Sequence, residues 1–220
     1  MALTLYYHPL SSFCHKVLIA LYEKGIDFDK RIIDLGNEAE RTELLAVSPF
    51  GKFPVIRDPA RDRNVTESTI IIEYLDHFHA GKSPLIPGEW DQALEVRLWD
   101  RMFDTYVHIP MQEIVADRIG GSSGDTSKHR ATLHKAYAII EEHLASTTWA
   151  AGPDFSMADC AASPALFYAS TLEPFATGQV RLRSYFERLM DRPSIVRVIE
   201  EAKPYFSLYP FADAIPRRFR

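Results

Sequence analysis

Short apolar runs and amphipathic stretches alternate along the first third of the chain. Leu3, Leu5, Tyr6 and Tyr7 make an apolar, aromatic run that predicts a strand, stopped by His8-Pro9-Leu10. After Ser11-Ser12 the positions Cys14, Val17, Leu18 and Leu21 recur at the spacing of a helix with one buried face, and Gly25 is a natural stop. Residues 27–34 (DFDKRIID) alternate like a second strand, and 38–47 predict a short polar helix. Ser48-Pro49-Phe50-Gly51 is a turn by composition. Phe53-Pro54-Val55-Ile56 reads as a strand with proline at its start, where a missing N–H is tolerated. Residues 58–64 make a hairpin-like loop, and Val65-Thr66 a last short strand. Glu67-Ser68 then opens an apolar helix through Ile70, Ile71, Tyr74 and Leu75. The order is βαβ followed by ββα over residues 1–80.

Residues 81–88, rich in proline and glycine, predict a linker, and beyond it the pattern is helical alone. Residues 89–118 predict one long helix with Leu94, Leu98, Met102, Tyr106 and Ile109 as its apolar positions and a kink at Pro110. GGSSG at 120–124 predicts a flexible break, followed by a helix over 126–144. Ser156-Met157-Ala158-Asp159 is a capping box, flanked by Phe155 and Cys160 as its hydrophobic staple. Helices over 157–168, 179–191 and 194–201 and a proline-containing tail from Phe206 complete an all-α domain over 89–220.

Composition narrows the function. A net charge of −5 without a basic stripe argues against nucleic acid as the main partner. No apolar run approaches the ~18 residues of a membrane helix, and the N-terminus lacks the pattern of a signal peptide. Cys14 and Cys160 lie far apart, each inside a predicted helix, so a structural disulfide is not expected and a reducing cytoplasm fits. The eight histidines include no metal-ligand spacing, and His129, His134 and His143 read as surface residues of a polar helix. No metal site is expected.

The chemistry concentrates at residues 3–17. A strand turning straight into a helix points several N–H groups and the positive end of a dipole at one spot, which favours an anion. Ser11-Ser12-Phe13-Cys14 has the spacing of a redox C-x-x-C with serine in the first place. That disulfide cannot form, but a hydroxyl there can stabilise the thiolate of a bound small thiol.

Four segments together resemble the glutathione S-transferase family: S-S-F-C-H-K-V at 11–17, S-P-F-G-K-F-P-V at 48–55, T-E-S-T-I-I-I-E-Y-L at 66–75 and F-S-M-A-D at 155–159. The serine at position 11 is that of the serine-type classes theta, phi, tau and zeta. The resemblance implies a thioredoxin-like domain followed by a helical one. It makes Ser11 the catalytic hydroxyl that hydrogen-bonds the glutathione sulfur, with Ser12 as a second hydroxyl beside it. It implies a cis Phe53–Pro54 bond whose Phe53 backbone pairs with the cysteinyl part of glutathione. Lys52 would lie near the glycine end, and Glu67 and Ser68 would hold the γ-glutamyl end. An electrophile pocket between the domains is expected to use Leu10, Phe13, Tyr106, Ile109 and Tyr168. Phe50 resembles an aromatic that anchors the partner subunit of a homodimer. Tyr6 and Tyr7 lie near the catalytic phenol of the tyrosine-type classes, although the S-x-x-C-H-K-V spacing favours Ser11 and leaves Tyr7 as a packed aromatic. Arg41 is a candidate for the glycine carboxylate.

The activity so implied is attack of the glutathione thiolate on small hydrophobic electrophiles, in the cytoplasm, with glutathione as co-substrate. Isomerisation of a maleylacetoacetate-type substrate uses the same thiolate. A glutathione-dependent reductase or peroxidase is a further alternative, against which serine at position 11 counts. A non-catalytic binding scaffold is the alternative outside catalysis. Each site residue also has a structural role open to it: Glu67 and Ser68 as helix caps, Lys52 as a solvated charge, Phe50 packed under its own turn.

Overall fold

In the computed structural model, which describes residues 2–79, 81, 83–121 and 124–220, the N-terminal apolar run is strand β1 (Leu3–Tyr7). It is followed by α1 (Ser12–Lys24), β2 (Phe28–Ile32), α2 (Glu38–Val47), β3 (Val55–Asp58), β4 (Arg63–Thr66) and α3 (Ser68–Phe78). The sheet order is β2-β1-β3-β4, with β1 parallel to β2 and β3 antiparallel to both of its neighbours. Two parallel neighbours need a crossover, which α1 supplies, whereas β3 and β4 are joined by a hairpin. That hairpin loop is shorter than the expected 58–64, since Asp58, Arg63 and Asn64 all pair in the ladder. β3 begins at Val55 because Pro54 has no N–H to donate.

Side chains alternate across the sheet. Tyr6 and Val55, opposite each other, join Ile33, Leu44 and Val47 in one cluster, so this face is covered by α2. Leu5 and Ile56 point to the other face, where α1 and α3 pack together. Gly25 ends α1 with φ 63°, a left-handed conformation that glycine adopts without a Cβ penalty. The buried Lys24 reaches Asp76 of α3 at 2.6 Å, and Asp76 also accepts the backbone N–H groups of Leu85 and Ile86. This is the βαβ-ββα order expected of a thioredoxin-like domain. The chain divides into two compact units, Met1–Ile86 and Pro87–Arg220. Of the expected linker and the GGSSG break, Lys82, Ser122 and Ser123 lie outside the described residues.

The second unit contains α4 (Trp90–Phe103), α5 (Ile109–Ile119), α6 (Ser127–His143), α7 (Met157–Leu172), α8 (Val180–Met190) and α9 (Pro193–Ala202). The predicted helix over 89–118 is interrupted by a π-helical turn at Asp104–His108, just ahead of Pro110. Proline cannot donate, and its ring crowds the carbonyl four residues back, which is that of Tyr106; a wider turn just before it relieves both. The apolar positions read from the sequence are not the buried ones. Leu94 and Leu98 are each 51% exposed, while Ala93, Val96, Trp99, Phe103 and Val107 are buried together with Asp100, Asp104 and His108. His143 is not a surface residue either: its ring stacks on Trp99 at 3.8 Å and its Nε2 lies 2.7 Å from the Ala150 carbonyl.

α7 is buried nearly all round and is the centre of this unit. Its capping box forms, with the Ser156 N–H donating to Asp159 at 2.9 Å. The Asp159 carboxylate also accepts the Ala150 N–H at 2.9 Å and the Tyr185 hydroxyl at 2.6 Å. Phe155 lies against Trp149 and under the Arg192 guanidinium. The C-terminal tail folds into 3-10 turns and packs back on α7, where Phe206 and Phe219 both meet Phe167.

Candidate active site

The turn between β1 and α1 is built by its own residues. Pro9 takes the second position of a β-turn closed by the Ser11 N–H donating to the His8 carbonyl at 3.0 Å. Ser11 then caps α1 from extended backbone, its hydroxyl oxygen accepting the Cys14 N–H at 3.3 Å. Acting as an acceptor in the cap leaves the hydroxyl proton available for donation. The structural role and the chemical role of Ser11 are therefore compatible, and both place it at the helix N-terminus. Ser12 is the first residue of α1 and is buried.

Cys14 lies beside the Ser11 hydroxyl but does not compete for the chemistry. Complete burial pushes its thiol up to about 12, against the opposing hydrogen bonds of Ser11 and the His8 backbone. At neutral pH it is a protonated core side chain. Tyr7 is buried at the inward end of β1, and Tyr6 packs in the cluster under α2.

The loop before β3 comes next to the β1 turn. The Phe53–Pro54 bond is cis, as the resemblance implies. Phe53 is half-buried, and its ring lies nearly parallel to that of His8, with centroids 6.1 Å apart and planes at 20°. Lys52 is exposed, its backbone N–H donating to the Ser48 hydroxyl at 3.2 Å. Gly51, at φ 60°, closes the Ser48–Gly51 turn and leaves Phe50 85% exposed, so Phe50 does not pack under its own turn.

Glu67 occupies the N-cap position of α3 with φ 65°, an uncommon conformation for a residue with a side chain. It costs on the order of 1–3 kcal/mol and persists only where the surroundings impose it. Glu67 makes no side-chain cap hydrogen bond, so its exposed carboxylate does not serve the helix. Ser68, the first residue of α3, is buried. Arg41, on α2, is exposed.

Of the expected pocket residues, Leu10 and Phe13 flank Ser11 and are half-buried. In the helical unit Tyr106 and Ile109 are 47% and 46% exposed. Tyr168 is 2% exposed, edge-on to both Phe167 and Tyr209, which leaves no face for a ligand. It belongs to the core of that unit. Tyr106 lines a groove of about 560 Å³ between the π-helical turn and α6, together with Met102, Lys128 and Lys135.

His8 was visible in the sequence only as the end of a strand. In the structure its Nδ1 accepts the Leu10 N–H at 3.2 Å. Burial holds the imidazole below its ordinary pKa, against the opposing charge of Asp34. The available signal was a polar ring at the first position of a proline turn, where a side chain can reach the N–H two residues on.

Among the described residues no three His, Cys, Asp or Glu side chains are grouped to hold a metal ion, and no helix is long and apolar enough to cross a membrane.

Comparison with known proteins gives these features a context. Residues 5–83 match the family model of the glutathione S-transferase N-terminal domain, and residues 87–197 that of the C-terminal domain. The chain is 28% identical to glutathione S-transferase 3 of Zea mays over 208 residues, covering 90% of this chain and 93% of the relative. It is 25% identical to a stringent starvation protein A homolog of Histophilus somni, covering 92% of each. Among solved structures it resembles a glutathione S-transferase of Methylobacterium radiotolerans in complex with glutathione sulfonate. There the TM-score is 0.76 and the identity 27%, over 90% of this chain and 94% of that one.

Proposed function

From the premise that this chain belongs to the glutathione S-transferase family, we propose that it binds glutathione at the β1–α1 turn and activates its thiol for attack on small electrophiles. The observation that carries this is the state of Ser11, an N-cap whose oxygen accepts the Cys14 N–H and whose proton remains for the glutathione sulfur. The thiol loses its proton to solvent, and the thiolate is stabilised by the Ser11 hydroxyl and the N-terminus of α1. Helix N-termini and donors of this kind lower a thiol by about one to several pKa units, each worth about 1.4 kcal/mol. The thiolate sulfur then forms a bond to the electrophilic carbon, and the leaving group departs with the bonding pair or the adduct takes up a proton.

The other contacts follow the family pattern. The Phe53 backbone before Pro54 pairs with the cysteinyl unit, and Lys52 reaches the glycine end. Ser68 and the N-terminus of α3 take the γ-glutamyl carboxylate, and Glu67 its ammonium group. The uncapped, positive-φ conformation of Glu67 supports this assignment, since the carboxylate has no helical duty to explain it. Leu10 and Phe13, which flank Ser11, are assigned to the electrophile side of the sulfur. Isomerisation of a maleylacetoacetate-type substrate is compatible with the same thiolate. A reductase or peroxidase is disfavoured, because position 11 is serine and the buried Cys14 thiol does not ionise near neutral pH. A homodimer is proposed on the exposed apolar residues Phe50, Trp90, Leu94 and Leu98.

One observation favours a second reading. A relative covered as fully as the transferases is named a stringent starvation protein A homolog and not a transferase, so a non-catalytic scaffold is kept as the competing proposal. Glutathione binding by calorimetry, read together with the ultraviolet thiolate band, separates the two. Wild type is expected to bind and to show the band near pH 7. Ser11→Ala is expected to bind but lose the band, and Ser11→Thr, which keeps both cap and donor, to retain it. Absence of binding by folded wild type would overturn the catalytic reading and leave the scaffold.

A further inference from the structure

We infer that His8 is a positioning residue for the thiolate, its side chain holding the turn that presents Ser11 from a place beside the Phe53 ring. The inference rests on the functional reading above. Three contacts carry it. The His8 carbonyl accepts the Ser11 N–H at 3.0 Å, its Nδ1 accepts the Leu10 N–H at 3.2 Å, and its ring lies 6.1 Å from that of Phe53. One residue thus holds the backbone of the Ser11 turn and lies beside the ring that precedes Pro54.

The second contact also determines the chemical state of the ring. A backbone N–H only donates, so Nδ1 must present its lone pair, and the neutral ring carries its proton on Nε2. A second proton would have to enter at Nδ1, where it would face the Leu10 N–H and break the bond. Burial favours the neutral ring, while the Asp34 carboxylate, on the connection after β2, pulls the other way. Accepting the N–H two residues ahead is the geometry that Asn and Asp side chains adopt at turns. Asparagine can therefore replace the acceptor without the ring, and phenylalanine the ring without the acceptor. Misplacing the Ser11 hydroxyl by a fraction of an ångström weakens a contact that matters only to the charged sulfur, so the effect falls on thiolate formation more than on glutathione binding.

The test compares the pH dependence of the thiolate band and the glutathione affinity in wild type, His8→Phe and His8→Asn. His8→Phe is expected to raise the pKa of the bound thiol by about one unit, a tenfold loss of thiolate at pH values below it. Its glutathione affinity is expected to change by less than that factor. His8→Asn is expected to recover most of the thiolate. Nitrogen shifts of the wild-type imidazole at pH 7 are expected to report the neutral tautomer with its proton on Nε2. A thiolate pKa that His8→Phe leaves unmoved, a His8→Asn variant no better than His8→Phe, or a ring protonated on Nδ1 would each overturn the inference. If His8→Phe does not fold, His8→Leu, which also lacks the acceptor, takes its place with the same expected and overturning results. Wild type that binds no glutathione would instead overturn the functional reading, and this inference with it.

Discussion

Single residues at this site carry two duties at once. Ser11 caps a helix and offers a proton, and Cys14 fills the core at the position where a redox protein would keep its second thiol. With that thiol pushed up to about 12 by burial, and Cys160 also buried, neither cysteine is expected to react with an alkylating reagent at pH 7.5 in the folded protein. Mass spectrometry would find both modified only after addition of denaturant. Asp58 shows the opposite shift. Burial alone would raise its carboxyl, but the Tyr74 hydroxyl at 2.6 Å, His79 at 3.1 Å and the Ala60 N–H bring it below its ordinary value. A carboxyl lowered in the folded state contributes stability above its unfolded pKa, near 4, and loses it as pH falls through the lower folded value. Tyr74→Phe removes one donor to that charge, at a cost of about 1.5–3 kcal/mol at pH 7. The difference from wild type is expected to shrink as Asp58 protonates, so melting curves at pH 7 and pH 3 check both its size and its sign.

At the scale of elements, helix ends and interruptions decide more than helix interiors. Asp159 ties the start of α7 to the Ala150 backbone and to Tyr185 of α8, so one carboxylate joins three segments. Asp159→Ala leaves four buried donors, the Ala150 and Ser156 N–H groups and the Ser156 and Tyr185 hydroxyls, without that acceptor and is expected to destabilise by about 3 kcal/mol or more. For a chain of this size that lowers Tm by roughly 6–12 °C, measurable by thermal unfolding. The substitution lies far along the chain from Ser11, so a loss confined to stability, with glutathione binding intact at low temperature, is the expected outcome. The π-helical turn before Pro110 places Tyr106 and Ile109 at the surface while Asp104 and His108 face inward, with His108 Nδ1 3.1 Å from Asp104. A straight α-helix through the same residues would have spaced these positions differently.

At the scale of the whole molecule, the homodimer proposal is tested at the exposed apolar residues it invokes. Leu94 and Leu98 lie one turn apart on α4, and Phe50 stands out from its turn. Leu94→Glu combined with Leu98→Glu is expected to convert a dimer to a monomer, and Phe50→Ala to weaken it. Sedimentation velocity read across a concentration series checks both. A wild-type monomer at every concentration would end the homodimer proposal without touching the chemistry at Ser11.

Local patterns made much of this protein legible from its residues. Strand runs, the helical period after Ser11, the turn at 48–51 and the box at 156–159 depend on neighbours in sequence, and they appear where they were expected. The candidate residues Ser11, Phe53-Pro54 and Glu67-Ser68 came instead from the family resemblance, and the structure puts each at or just before the start of an element. Only the tertiary structure decided which stripe of α4 is buried. An apolar period says that a face can be covered but not which neighbour covers it. Here the helical unit took the stripe containing Asp100, Asp104 and His108, and left Leu94 and Leu98 outside. Folding likewise drew His143 under Trp99, packed the tail on Phe167 and set the His8 ring against Phe53. Each depends on segments that meet only when the chain has folded, because a polar or strained group is held in place by partners distant in sequence.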